Sequence, residues 1–138
     1  TAGIEIFFTI GTDIESHYLN PHHIHKIYNN LSLNQITNAI SESTDSARDK
    51  SLEIFINTRS NLALTVQYSG GEKINPGKIS AQCISEYDVN TARFRHGKKV
   101  LKDLKNKLQQ LGGQRNIISP SDYLKHVKLE EIKEKIWN

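Results

Sequence analysis

Hydrophobic positions change period along the chain, and each change predicts an element. Ile4-Glu5-Ile6-Phe7-Phe8-Thr9-Ile10 is short, β-branched and aromatic, and Gly11 ends it, so it reads as a strand. Its nearly continuous apolar character predicts burial on both faces, as in a parallel or mixed sheet. A helix is expected directly afterwards, with Thr12 or Asp13 capping its first amides. Pro21 suits the first turn of the next helix, carrying Ile24, Ile27, Tyr28 and Leu31. Ser32-Leu33-Asn34-Gln35 has the form of a capping box, launching a helix with Leu33, Ile36 and Ile40 on one face.

From Leu52 to Tyr68 the period changes to two. Leu52, Ile54 and Ile56, then Leu62, Leu64, Val66 and Tyr68, alternate with polar residues, which predicts strands. Ser69-Gly70-Gly71 and Asn75-Pro76-Gly77 bracket a loop. Ile79, Cys83, Ile84 and Tyr87 return to helical spacing. After Gly97, Val100, Leu101, Leu104, Leu108 and Leu111 form an apolar stripe, with Lys98, Lys102 and Lys105 opposite. Gly112-Gly113 ends that helix; Ser119-Pro120-Ser121-Asp122 starts another, and a last one runs from about Leu129 to Trp137. The fold class expected is α+β, predominantly helical. A small sheet including the buried N-terminal strand would be covered by helices of the C-terminal third. With 138 residues, no internal repeat and no linker, residues 1–138 read as a single domain.

Charge refines this picture. The net charge is +3, but residues 1–90 carry a balance of −4 and residues 91–138 a balance of +7. A basic C-terminal part of this kind suits a polyanion. A single cysteine, Cys83, excludes an internal disulfide framework and fits a reducing, cytoplasmic setting; no apolar run approaches a membrane span. The first residues have neither the basic stretch nor the cleavage site of a secretory signal. The chain also lacks methionine, which fits either a lost initiator or excision from a longer polypeptide.

Three clusters carry candidate chemistry. Asp13 and Glu15 follow the best strand, where α/β folds place ligands, and offer hard oxygen donors for Mg²⁺ or Mn²⁺; acidic residues complementing a helix dipole look the same. His17, His22, His23 and His25 match no metal-binding spacing, and no zinc site is expected there. Residues 93–107 contain seven basic residues against one acid, Asp103. Arg93, Arg95, Lys98 and Lys99 lie around a glycine at a helix start and are candidates for phosphate contact; Lys102 and Lys105 continue the tract. The required P-loop glycine and Ser/Thr are missing. Cys83, on an apolar helical face, reads as an inert core thiol, and no Gly-x-Ser-x-Gly elbow is present.

The run from Phe7 to Pro21, with Asp13-Ile14-Glu15-Ser16-His17-Tyr18-Leu19-Asn20-Pro21 at its core, resembles the segment after the central Toprim motifs of OLD-like nucleases of prokaryotic defence systems. His96-Gly97-Lys98-Lys99-Val100-Leu101 resembles that family's downstream helix start, and Ser119-Pro120-Ser121-Asp122-Tyr123-Leu124 and Ile136-Trp137 resemble its C-terminal region. The resemblance leaves roughly 30–95 uncovered. It implies Asp13 and Glu15 as ligands of Mg²⁺ or Mn²⁺, and Lys98, or failing it Lys99, as the catalytic lysine beside the scissile phosphate. The implied chemistry is metal-assisted phosphodiester hydrolysis on DNA. A Toprim centre also needs an upstream glutamate and an Asp-x-Asp, and no Asp-x-Asp occurs here. The chain is therefore expected to be a C-terminal portion holding half a site and partnered by an upstream Toprim/ATPase segment or subunit, with oligomers possible. Two alternatives need no missing residues. One is a non-catalytic nucleic-acid-binding module using residues 93–107; the other is a protein-interaction domain docking an acidic partner.

Overall fold

The structure, a computed structural model, describes residues 13–112. The strand expected at 4–10 and the helices expected beyond Ser119 lie outside the described residues. Within them the chain is 79% helical and holds no strand. The elements are a 3-10 helix at Ile14–Tyr18, then α1 (Pro21–Ile27), α2 (Leu33–Ser46), α3 (Arg48–Tyr68), α4 (Pro76–Val89), α5 (Thr91–Phe94) and α6 (Gly97–Gln110).

The main correction concerns residues 52–68, expected as strands of a small sheet and folded instead as the body of α3. No Gly or Pro interrupts 48–68. Leu52 and Ile56 are four apart as well as two plus two, and Phe55 completes one helical face with them. Leu52 and Phe55 are buried, while Leu62, Val66 and Tyr68 are exposed. Alternation therefore did not mark a buried sheet face. Thr58 and Thr65 are accommodated inside the helix with their hydroxyls donating to carbonyls one turn back, Ile54 at 2.9 Å and Asn61 at 3.0 Å.

Elsewhere local sequence chemistry gives the expected boundaries. The Asn20 side chain accepts from the His22 amide, and Pro21 opens α1. Ser32 and Gln35 form the capping box: Ser32 Oγ accepts from the Gln35 amide at 3.1 Å, and Gln35 Oε1 from the Ser32 amide at 2.9 Å. At α4 the Asn75 side chain accepts from the Lys78 amide at 3.1 Å, with Pro76 opening the helix. Four details depart from expectation. Helix α1 stops at Ile27, so Tyr28 and Leu31 are buried from the turn beyond it. Leu33 and Ile84 are exposed rather than core-facing, and Leu111, expected in the apolar stripe of α6, lies just past its last turn and is exposed.

Two hydrophobic clusters result. The first joins α1, α2 and α6 to the 3-10 helix through Ile24, Tyr28, Ile36, Ile40, Val100, Leu104 and Leu108. The second joins α3, α4 and α5 through Leu52, Phe55, Cys83 and Tyr87, with Ile56, Ile79 and Phe94 against them. The turn between α5 and α6 stitches one to the other. Arg95 Nη1 donates to Thr44 Oγ1 at 3.2 Å, and the His96 amide donates to Ser51 Oγ at 3.0 Å.

Candidate nucleic-acid interface

A helix N-terminus leaves amides without intrahelical partners and carries partial positive charge. At the start of α6 those amides are taken. Asp13, from the far end of the described chain, accepts from the Gly97 amide through Oδ1 and from the Lys98 amide through Oδ2, both at 2.9 Å. Ser16 Oγ donates to Oδ1 at 2.6 Å, and His96 Nε2 lies 3.7 Å from Oδ2. Burial alone would raise the Asp13 carboxyl. The Ser16 hydroxyl, the Lys98 and Gly97 amides and the neighbouring His96 outweigh it, so the group titrates below its ordinary value. Only glycine fits at 97, because a Cβ there would collide with the Ser16 amide nitrogen and lie 2.6 Å from Asp13 Oδ1.

The clasp gives two of the expected sites a new reading. Asp13, the candidate metal ligand, serves as the cap of a helix 84 residues away, and the amides expected to be available to phosphate hold this carboxylate instead. Glu15 lies beside it in the 3-10 helix, half-buried. Among the described residues no three His, Cys, Asp or Glu side chains group so as to hold a metal ion, the histidines at 17–25 included. A cation would also face the positive end of α6. The described residues therefore do not by themselves fit Mg²⁺ or Mn²⁺.

The basic tract divides by helix geometry. Val100, Leu101, Leu104 and Leu108 are buried. Lys98, Lys102 and Lys105 recur at four and three residues on the opposite side, with Lys99 flanking them. Lys98, Lys99 and Lys102 are exposed and Lys105 is half-buried, and none forms an ion pair with a described carboxylate. Lys107 is different: it lies 3.6 Å from Glu42 and 3.9 Å from Asp103, closing α6 against α2. Arg93 is exposed, its guanidinium 5.5 Å from the Phe94 ring centre. Arg95 turns inward to Thr44, and burial pushes its guanidinium down from the ordinary value, partly offset by Tyr87. It is a structural tie and not a surface contact. Burial likewise raises the Cys83 thiol, in keeping with an inert core group.

Sequence reasoning missed a second feature nearby. Phe55 and Phe94 stack with ring centres 4.8 Å apart beside a cavity that also includes Arg59, Arg93 and His96. The signal was present in the spacing of Phe55 and Arg59, one turn apart, but reads only once residues 48–68 are taken as helix. No family description, no curated protein and no solved structure matches the chain. Among the described residues, no helix is long and apolar enough to cross a membrane.

Proposed function

We propose that this chain contributes a nucleic-acid-binding surface, formed by the exposed lysine face of α6. The observation that carries the reading is the pattern on one rigid helix. Lys98, Lys99 and Lys102 are exposed and the half-buried Lys105 flanks them, all four without described acidic partners, whereas Lys107, on another face, has two. Ammonium groups repeating along a helix suit a phosphate backbone and make binding depend on salt rather than sequence. The lone buried thiol suits the reducing, cytoplasmic setting in which such a partner is met.

The test is anisotropy of a labelled DNA duplex titrated with the 138-residue chain. Four phosphate contacts predict a loss of about a hundredfold in affinity between 50 and 200 mM salt. The Lys98→Ser/Lys102→Ser/Lys105→Ser variant should bind at least tenfold more weakly with a shallower salt slope. Equal affinity in this variant would reject the surface.

A second reading, a portion of a metal-dependent Toprim-like nuclease of a defence system, has one observation in its favour. The clasp holds Asp13 at the first turn of α6, where Lys98 stands, and the Glu15 backbone lies against Gly97. Its remaining carboxylates would have to come from outside residues 13–112, through the upstream Toprim/ATPase segment or a partner subunit. Glu15→Gln separates the readings because it leaves the Asp13 cap in place. Mn²⁺-stimulated DNA binding or cleavage lost in Glu15→Gln would favour the nuclease; binding indifferent to both metal and Glu15 would favour the simple module.

A further inference from the structure

The cavity beside the Phe55–Phe94 stack has features that the lysine face does not use. Its volume is about 540 Å³, within the roughly 300–1,000 Å³ of small-molecule sites. Its apolar side includes Phe55, Phe94 and Leu62; its polar side includes Arg59, Arg93 and His96, and no described acidic residue lines it. Each arginine is already placed against an aromatic ring. Arg59 lies 5.1 Å from the centre of Phe55, and Arg93 lies 5.5 Å from the centre of Phe94. Arg59 uses one Nη on Glu86 at 2.9 Å. Arg93 forms no ion pair with a described carboxylate, so its fork of donors is open to an anion. The His96 imidazole adds a buried Nδ1 without a hydrogen-bond partner among the described residues.

A stacked aromatic pair, two guanidiniums and the absence of a lining carboxylate select a ligand that is planar and anionic at once. The ring faces are taken by each other and by the arginines, so an aliphatic anion would leave the apolar wall of Ile54, Leu62 and the ring edges unused, and a neutral aromatic would leave the Arg93 donors unused. We propose that this cavity binds a nucleotide, its base lying against the wall formed by Ile54, Leu62 and the edge of the Phe94 ring, and its phosphate held by Arg93 with help from Arg59. Two sources share that chemistry: a free mononucleotide, or one unstacked nucleotide of a single strand. The proposal stands on the cavity alone and survives if the lysine face proves silent.

The experiment uses the 138-residue chain and titrates AMP, adenosine and inorganic phosphate, following binding by amide NMR shifts and calorimetry. AMP should bind at least tenfold more tightly than either half, with shifts centred on residues 54–62 and 93–96. Arg93→Ser, at an exposed position, should weaken AMP at least tenfold while leaving the helical signal intact. Thr58→Trp, which fills the cavity from an exposed helical position, should remove binding, and the charge control Lys78→Ser should leave it unchanged. AMP binding no tighter than phosphate, or unaffected by both Arg93→Ser and Thr58→Trp, would overturn the proposal. Competition between AMP and a short oligo(dA) then assigns the source. Mutual displacement with the same shifts supports a strand nucleotide, and AMP binding undisturbed by the oligonucleotide supports a free one.

Discussion

The two halves of the described chain solve the same burial problem differently. Around α6, four elements enclose a continuous core in which Ile24, Ile36, Val100, Leu104 and Leu108 are fully buried. In the arm built from α3 and α4, four buried residues form the centre, and the far end of α3 presents Leu62, Val66 and Tyr68 to solvent. The first half is closed by side-chain caps and by a carboxylate reaching across the fold. The second depends on a small aromatic centre with arginines around it. Dense packing fixes a backbone and leaves no space for a ligand; thin packing leaves the space. The lysine face is therefore carried by the rigid half, and the cavity lies against the looser one.

Core truncation should separate the halves most sharply. Leu104→Ala removes a fully buried side chain from the dense cluster and is expected to cost about 2–5 kcal/mol in urea unfolding followed by far-UV circular dichroism. Leu52→Ala, in the smaller centre of the arm, should lie at the low end of that range, about 2 kcal/mol. Similar values for the two would mean that the packing contrast has no energetic counterpart.

Gly97→Ala comes next. Its Cβ must displace backbone at Ser16 and the Asp13 carboxylate rather than a flexible side-chain end, so a loss of about 1–3 kcal/mol is expected. A neutral result would show that the clasp opens without consequence.

Asp13→Ala should have a smaller effect than Gly97→Ala, about 0.5–2 kcal/mol for a lost helix cap, and it should depend on pH. Folding lowers the Asp13 value, so the unfolded chain binds the proton more readily. The cap's contribution is complete above the ordinary value of 3.8 and is lost as the pH falls through the folded value. Wild type and Asp13→Ala should thus differ near neutral pH and converge in acid. A constant gap down to the lowest pH at which the protein folds would contradict the assignment.

What was legible in the sequence was what neighbouring residues decide between themselves. Ser32 and Gln35 announce a helix start because both partners lie within four residues, and Leu104 and Leu108 announce a buried face because one turn separates them. Residues 52–68 were ambiguous for a physical reason. Leu52, Ile54 and Ile56 satisfy a period of two, and Leu52, Phe55 and Ile56 satisfy a helical face equally well. The partner surface on α4, supplied by Cys83 and Tyr87, selects the helix. Both charged clusters of the candidate site stood out as well, Asp13 with Glu15 and the tract from Arg93 to Lys105. Their contact did not, because 84 residues intervene and each had a sufficient local explanation. Arg95 was grouped with its neighbours by charge alone; only Thr44, 51 residues away, shows that it faces inward.

The position of α6 within the chain has a mechanical consequence. Asp13 grips its first turn, and beyond its last turn the Gly112 carbonyl, in a residue with φ of +89°, accepts from Asn30 Nδ2 at 2.8 Å. Asp13 and Gly112 are thus moored at opposite ends of one rod, roughly 20 Å apart for a 14-residue helix. A displacement of Asp13 or of Gly112 therefore acts on the lysine-bearing helix directly and on the arm only through it.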